Sequence, residues 1–220
     1  MQFTDRHQAG RMLAKRLLHL KDRHPIILAL PRGGVPVGYE VAHELEVPLS
    51  ILLVRKIGAP GQPELAIGAV AEGDPPEVFV EPRRVAQEAM DTLYFETAKT
   101  REMQEIKRRR ELYFADDKGV DVRDRTGIIV DDGVATGATM LAAIRATRRR
   151  QPAHLVVAVP VASADTVAWL RAEADEVVCL SMPVNFMAVG QFYIQFPQLD
   201  DEEVIRLLKE AKNFGAAGHL

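Results

Sequence analysis

The stretch TGIIVDDGVATGATMLAAI, residues 126–144, decides the fold that the sequence predicts. It begins with an apolar run typical of a buried strand, continues with two adjacent acids and a loop of Gly, Ala and Thr, and ends with apolar residues at helical spacing. A strand, a short loop and a helix in this order are typical of α/β proteins. Asp131 and Asp132 at the strand end could be solvated residues, metal ligands or acceptors for the hydroxyl groups of a ligand.

The same alternation of apolar runs and helical patterns recurs along the chain. The predicted strands are residues 25–30, 48–56, 127–132, 153–162 and 176–182. We expect one α/β domain over residues 1–220, with a doubly wound, mainly parallel five-stranded sheet. Residues 57–76 contain many of the Gly and Pro residues, which favours a long flexible excursion with a hairpin through residues 64–73.

Two segments depart from the alternating pattern. Residues 82–114 are charged and helical in pattern, which predicts a helical insert. Its run KRRR, residues 107–110, could bind an anion, but a solvated helix face with glutamate partners is favoured. Residues 181–200 follow the last strand and predict a small C-terminal segment, called the hood below.

Composition excludes several classes of protein. The chain has 220 residues, 47% of them hydrophobic and 27% charged, and a formal net charge of −3, which gives no indication of a nucleic-acid partner. No apolar run approaches the roughly 20 residues that a membrane-spanning helix needs. The N-terminal 20 residues are charged throughout, which favours an amphipathic helix over a signal peptide or a mitochondrial presequence. We therefore expect a cytoplasmic protein without a membrane partner.

The loop after the acidic pair has the composition of an anion site. Its small residues allow backbone N–H groups to converge on a phosphate, the following helix adds its positive end, and Thr136 and Thr139 can add hydroxyl donors. An ordinary strand-to-helix turn has a similar composition. Asp131 and Asp132 favour the anion site, because two buried carboxylates need donors or a cation, and a ribose 5-phosphate would supply hydroxyl groups to one half of the motif and phosphate to the other.

Several motifs together resemble a known family. The segment IIVDDGVATGAT, residues 128–139, is similar to the phosphoribosyl-diphosphate-binding motif of type I phosphoribosyltransferases. The other segments that resemble one branch of that family, and in the same order, are LPRGGVPVGYEVA (30–42), LVRKIGAPGQPELAIGAVAEG (53–73), VAVPVAS (157–163) and FYIQFPQLDDEEV (192–204). The resemblance therefore covers nearly the whole chain, and that branch has no settled substrate.

The resemblance implies a role for each strand-end loop. Asp131 and Asp132 would contact the ribose 2- and 3-hydroxyls and hold Mg²⁺, directly or through water. The implied 5-phosphate loop is Ala135, Thr136, Gly137, Ala138 and Thr139. The implied pyrophosphate site is Arg32, Gly33, Gly34, Arg55 and Lys56, although Arg55 and Lys56 could also be a surface pair. Residues 57–75 would form a mobile lid.

The resemblance also implies a reaction. A nitrogenous acceptor would displace pyrophosphate from C1 of phosphoribosyl diphosphate, with Asp131, Asp132, Lys56 and Arg32 as the catalytic residues, in a homo-oligomeric enzyme. The acceptor would contact the hood through Asn185, Phe186, Phe192 and Tyr193, although a small satellite core explains these residues equally well. The 6-oxopurine enzymes have an aspartate at the position of Ala135, so the implied acceptor is a nucleobase other than a 6-oxopurine.

Other functions are less consistent with the sequence. The chain lacks the GxxxxGK[ST] motif of phosphate-binding NTPases, and PRGGVPVG lacks the G-x-G-x-x-G spacing of dinucleotide-binding proteins. A phosphatase with an aspartyl nucleophile is conceivable, but the D-x-D arrangement is absent. The main alternative is a regulatory module that senses phosphoribosyl diphosphate or a nucleotide without turnover.

Overall fold

The computed structural model of the protein describes residues 1–73, 75–80, 92–114 and 120–214. Its strands are β1 (Ile26–Ala29), β2 (Leu49–Ile51), β3 (Val54–Ala59), β4 (Gln62–Ala71), β5 (Glu77–Val80), β6 (Thr126–Val130), β7 (His154–Val161) and β8 (Glu176–Ser181). Its α-helices are α1 (Arg6–Leu17), α2 (Gly34–Leu45), α3 (Thr92–Phe114), α4 (Ala138–Arg149), α5 (Ala164–Leu170) and α6 (Asp201–Glu210).

The main sheet has five strands in the order β2-β1-β6-β7-β8, and every neighbouring pair is parallel. This confirms the predicted α/β fold. The central strands β1 and β6 are buried along their whole length, because helices cover both faces of the sheet. Because the chain passes from β1 outward to β2 and returns to β6 on the other side of β1, the strand order reverses beside β1 and β6. Open α/β sheets bind ligands at such a reversal, outside the carboxyl ends of the strands.

Two cores hold the helices against the sheet. On one face, Leu141 and Ile144 of α4 belong to the same buried cluster as Ile129 of β6. On the other face, Leu13 of α1 and Val41 of α2 belong to a second cluster that includes the sheet residues next to Ile129 in sequence. Alternate residues of one strand therefore pack against opposite layers, which fixes the strand end, and the acids that follow it, relative to both layers.

The interpretation of residues 57–76 as a flexible excursion is wrong, because β3, β4 and β5 form a second, antiparallel sheet there. The predicted second strand, residues 48–56, is accordingly divided between β2 and β3. The hairpin exists, but its turn lies at Pro60 and Gly61, ahead of the predicted segment, and Gly61 has a φ of 69°. Two of the glycines that suggested a loop have structural roles in this sheet: Gly61 lies in the turn, and Gly68 packs closely on Phe79.

The predicted helical insert, residues 82–114, contains α3, whereas residues 82–91 lie outside the described residues. Phe95 of α3 packs with Ile57 of β3. The basic run in this helix has the predicted glutamate partners: both Arg108 and Arg109 donate to Glu105. This run is therefore part of the packing and charge balance of the helix.

The hood contains a short 3-10 helix, Val189–Phe192, and joins the N-terminal segment through a bridge between Phe3 and Tyr193. The terminal helix α6 then begins at Asp201 and is capped by Asp200, whose carboxylate accepts from the Glu203 amide. In the described ranges, no helix is long and apolar enough to cross a membrane.

Candidate functional site

The acidic pair lies directly beyond the buried strand β6. Val130, the last residue of this strand, is fully buried, and Asp131 and Asp132 follow it in the reversal beside β1. The backbone amide of Asp132 donates to Oδ1 of Asp131 at 2.8 Å, so one oxygen of the first carboxylate is fixed by the chain itself. The position of the pair is therefore set by the backbone of the strand end.

Burial makes the charged form of these acids unfavourable. It raises the pKa of Asp131 well above the ordinary value, and the neighbouring charge of Asp132 raises it further. Burial also raises the pKa of Asp132, but Arg6 opposes that rise. The pair therefore does not readily carry two negative charges, and hydroxyl donors or a cation would favour its ionised form.

The loop after β1 packs directly against the pair. A Cβ atom on Gly33 would lie 2.2 Å from Oδ2 of Asp132, and one on Gly34 would lie 2.6 Å from the Val130 carbonyl oxygen. These distances are too short for any side chain, so both glycines are required by the close approach of the two loops. The peptide bond between Pro31 and Arg32 in the same loop is cis. The structure thus brings together the predicted acidic pair and three of the five residues of the predicted pyrophosphate site.

The loop after the acidic pair leads into the start of α4. Its Ala135 and Thr136 are exposed, and Thr139 is half-buried. Gly137, the N-cap residue, has a φ of 82° and, as a glycine, has no side chain that could cap the helix. The Ala135 carbonyl accepts from the Thr166 hydroxyl at 2.9 Å, which ties the loop to α5. An exposed, small-residue loop at an uncapped helix start can receive an anion.

Arg55 and Lys56 lie on β3, in the second sheet. Arg55 donates to Glu102 of α3 at 2.9 Å, and the Glu102 carboxylate is largely buried. Because the chain leaves the main sheet after β2, these two residues are not at a strand end of that sheet, as their position in the sequence had suggested. Their contact with pyrophosphate stays a prediction.

The four predicted acceptor residues occupy different environments. Tyr193 is buried, and its hydroxyl donates to the Asp132 carbonyl at 2.6 Å. Phe186 and Phe192 stack on each other, with ring centroids 5.4 Å apart, and pack against a cluster that includes Phe3. Asn185 is exposed. The aromatic residues thus form a small core beneath the hood, and their contact with an acceptor stays a prediction.

The structure adds Arg6, which the sequence patterns did not indicate. This first residue of α1 donates from Nε to Oδ2 of Asp132 at 2.8 Å and from Nη1 to the Pro197 carbonyl at 2.9 Å. Its guanidinium also lies over the Phe196 ring, 3.8 Å from the centroid. Arg6 and Asp132 are 126 positions apart, so no local pattern in the sequence could have related them.

A cavity of about 360 Å³ opens beside these residues. It is lined by Arg6, Arg32, Gly33 and residues 196–199. Arg32 also lies 3.6 Å from Asp201, through Nη1 and Oδ1, at the start of α6. The cavity therefore adjoins both the acidic pair and the glycine loop, and guanidinium groups line part of its wall.

The acidic pair has the chemistry of a partial magnesium site. Carboxylate oxygens are ligands that Mg²⁺ prefers, and this ion is commonly held by one or two carboxylates together with water and substrate phosphates. No group of three or more metal-ligating side chains occurs in the described part of the chain. Asp131 and Asp132 therefore fit Mg²⁺ when ligand oxygens and water complete its coordination.

Comparisons with known proteins agree with this geometry. A family model described as a phosphoribosyl transferase domain matches residues 4–197. Two Mycobacterium tuberculosis proteins, Rv0571c of strain H37Rv and MT0597 of strain CDC 1551, carry provisional names as phosphoribosyl transferases; each is 43% identical over 217 residues, or 98% of this chain. The chain spans 48%, about half, of the length of these relatives.

The crystal structure of TT1426 from Thermus thermophilus is similar throughout. It is 44% identical in sequence, and the match covers 96% of this chain and 99% of the TT1426 chain with a TM-score of 0.79. The α/β architecture is therefore common to both proteins.

Proposed function

Because the chain belongs to the phosphoribosyl transferase domain family, we propose that it transfers a 5-phosphoribosyl group from phosphoribosyl diphosphate to a nitrogenous acceptor. The observation that carries this proposal is the contact between two strand-end loops. Gly33 approaches Asp132 so closely that a single Cβ atom would overlap the carboxylate. A ligand with a ribose at one loop and a pyrophosphate at the other would span this contact.

In the proposed complex, the acidic pair receives the ribose hydroxyl groups. Hydrogen bonds from hydroxyl groups to a carboxylate are charge-assisted and stronger than those to neutral acceptors. The exposed residues Ala135 and Thr136, with the start of α4, receive the 5-phosphate through backbone N–H groups. The chain would thus fix both ends of the sugar and orient its C1 atom.

The leaving pyrophosphate would lie at the loop of Arg32, Gly33 and Gly34. The bond between C1 and the pyrophosphate oxygen breaks, its electron pair leaves with pyrophosphate, and the lone pair of the acceptor nitrogen forms the new bond to C1. A nitrogen that carries a proton then releases it to solvent or to a base. Mg²⁺, held by Asp131 and Asp132 with ligand oxygens, would neutralise charge on the pyrophosphate. Arg32 adds a guanidinium that can stabilise the same developing charge.

The acceptor would enter from the hood side. Ala135 has no group that can transfer a proton, so this position cannot serve a 6-oxopurine as the aspartate of those enzymes does. A nucleobase of another class is the acceptor that we propose. Substituents of the acceptor base could be contacted by the exposed Asn185 and by residues of the cavity beside Arg32.

Calorimetric titration of phosphoribosyl diphosphate into the protein, with and without Mg²⁺, tests the proposal. We expect binding that strengthens with Mg²⁺, because the two adjacent, half-buried carboxylates need a compensating charge. A pyrophosphate-release assay with a panel of nucleobases and small amines then tests turnover. Binding without release for every acceptor would indicate the regulatory module instead, and absence of binding under both conditions would contradict both functions.

A further inference from the structure

We propose that Arg6 is a positioning residue of the acidic pair: it holds the Asp132 carboxylate in place for the ribose and connects it to residues 196–199. This inference rests on the proposed function, because it concerns how the same site binds the sugar. It adds the N-terminal helix α1 to a site otherwise built from strand-end loops.

The three contacts of Arg6 point in three directions. Its Nε donates to Asp132, its Nη1 donates to the Pro197 carbonyl, and the face of its guanidinium covers the Phe196 ring. The side chain is 9% exposed. A planar guanidinium can donate at its edge and stack on its face at the same time, whereas a lysine ammonium has one charged atom and can reproduce only part of this arrangement.

The backbone on both sides of these contacts is also fixed. The Phe3 amide donates to the Phe192 carbonyl, and the Ile194 amide donates to the Phe3 carbonyl, both at 2.8 Å. Asp5 caps α1 through the Gln8 amide at 2.7 Å, directly before Arg6. The N-terminal segment is therefore joined to the hood by backbone hydrogen bonds, which set the position of the backbone from which the Arg6 side chain extends.

The hood reaches Asp132 from the other side. The Tyr193 hydroxyl donates to the Asp132 carbonyl, while Arg6 holds the Asp132 carboxylate. The Tyr193 ring stacks near the Phe196 ring, at 4.9 Å between centroids. Tyr193 thus holds the backbone of Asp132, and Arg6 holds its side chain. Because both groups also contact Phe196, they limit rotation of the Asp132 side chain.

The charge of Arg6 has a function that packing alone would not require. Replacing a buried ion pair with apolar side chains is often neutral or stabilising, so such a pair is weak evidence for a role in stability. In the described part of the chain, Arg6 is the guanidinium that forms an ion pair with the acidic pair, through Asp132. It offsets part of the charge of the two carboxylates and leaves the remainder for hydroxyl donors or Mg²⁺.

The experiment compares Arg6→Met and Arg6→Lys with Arg11→Met. Arg11 lies on the same helix, is about half exposed and pairs with Glu40 at 3.3 Å, away from the acidic pair. Calorimetry measures the binding of ribose 5-phosphate with Mg²⁺ and, separately, the binding of inorganic pyrophosphate without Mg²⁺. Thermal unfolding of each variant is measured in parallel.

We expect Arg6→Met to weaken ribose 5-phosphate binding by about 10- to 100-fold, because the variant loses the charged contact that orients the Asp132 carboxylate toward the ribose hydroxyl groups. Pyrophosphate binding, measured without Mg²⁺ so that the acidic pair holds no metal for it, should weaken less than ribose 5-phosphate binding, because that ligand would contact Arg32, Gly33 and Gly34. Arg6→Lys should recover part of the loss, and Arg11→Met should behave as the wild type.

Three outcomes would overturn the inference. One is unchanged ribose 5-phosphate binding in Arg6→Met. Another is an equal loss for both ligands together with a lowered melting temperature, which would make Arg6 a residue of the fold only. The third is a wild-type protein that binds neither phosphoribosyl diphosphate nor ribose 5-phosphate, in which case the proposed function fails as well. Asp131→Asn, measured alongside, separates these cases, because it should weaken ribose 5-phosphate binding even if Arg6 is not involved.

Discussion

Two acidic sites in this protein, one buried and one half-buried, have opposite balances of charge. Glu72, after β4, is 6% exposed and accepts from Arg110 at 2.6 Å, while Arg150 lies 3.7 Å away. Its Oε1 also accepts from the Leu53 amide. One carboxylate is thus surrounded by two arginines. At the end of β6, by contrast, two adjacent carboxylates have the guanidinium of Arg6 beside them, paired with Asp132.

This difference favours the acidic pair as the site that would receive a ligand. Glu72 is one carboxylate beside two arginines, so no further cation is needed to balance its charge. The packing of β4 against α3 and α4 therefore explains this residue. Two adjacent carboxylates with one cation remain undercompensated and can gain free energy from donors or a metal ion. Two adjacent carboxyl groups that share one arginine are the feature that distinguishes the candidate site from the structural one.

The largest effect should come from Asp131→Asn. We expect phosphoribosyl diphosphate to bind at least about 100-fold more weakly, because the amide removes a charged acceptor of hydroxyl donors. Calorimetry with Mg²⁺ measures the affinity, and Asp22→Asn, at an exposed position, is the control. Unchanged affinity in the variant would contradict the ribose assignment.

The same variant should also change how stability depends on pH. Burial in the folded state raises the pKa of Asp131, so this carboxyl keeps its proton to higher pH than in the unfolded state, and its contribution to wild-type stability decreases as the pH rises from about 4 through that raised pKa. Asparagine has no such loss. The melting temperature of Asp131→Asn minus that of the wild type should therefore increase with pH. A decrease of this difference with pH would contradict the conclusion that burial raises the pKa of Asp131.

A smaller effect, and of a different kind, is expected for Glu72→Gln. This change should lower the free energy of unfolding by about 2 kcal/mol, because it removes a buried carboxylate that pairs with the exposed Arg110 and the partly buried Arg150. For a chain of this length, that corresponds to a melting temperature lower by roughly 4–8 °C. Denaturant unfolding measures the loss, with Glu111→Gln, an exposed neighbour on α3, as the control. Affinity for phosphoribosyl diphosphate should stay within about twofold, and a large change in it would remove the distinction between the two sites.

The parts of the fold that were predictable from sequence have a physical feature in common. The strands β1, β6 and β7 are buried on both faces and therefore read as continuous apolar runs, and the helices between them have their own periodicity. Of the second sheet only a hairpin was predictable, because Gly61 and Gly68 occur at a turn and at a close contact yet have the composition of a loop. The break after β2 also moved Arg55 away from the strand end where the sequence had suggested it.

The site was predictable to the same extent and for related reasons. Asp131, Asp132, Gly33 and Gly34 lie next to strands of the main sheet, so the strand order alone brings them together. Arg6 belongs to a helix whose residues alternate between charge and apolar groups, and nothing in that pattern distinguishes it from the exposed Arg11. The contact of Arg6 with Asp132 depends on how α1 packs against α2 and the sheet, which is a property of the packed structure.

The smallest expected effect is at Glu105, a third kind of acidic residue. This carboxylate accepts from Arg108 and Arg109 on the same helix, and the hydrogen bond from Arg108 is the main reason that its pKa is lowered to about 2. The Glu105 carboxylate is 27% exposed and Arg108 is about half exposed, although Arg109 is largely buried. Because solvent reaches the carboxylate, Glu105→Gln should cost only about 0.5 kcal/mol of unfolding free energy. The contribution is present above the ordinary carboxyl pKa and is lost as the pH falls toward about 2.

Salt separates Glu105 from Glu72. The destabilisation by Glu105→Gln, measured by denaturant unfolding, should be constant from about pH 5 to 8 and largely disappear in about 1 M NaCl, where the screening length is roughly 3 Å. The destabilisation by Glu72→Gln should persist in the same salt, because its carboxylate is buried. If the destabilisation by Glu72→Gln disappears in salt together with that by Glu105→Gln, burial does not distinguish these two carboxylates. Glu72 could then no longer serve as the buried, charge-balanced acid with which the acidic pair is compared.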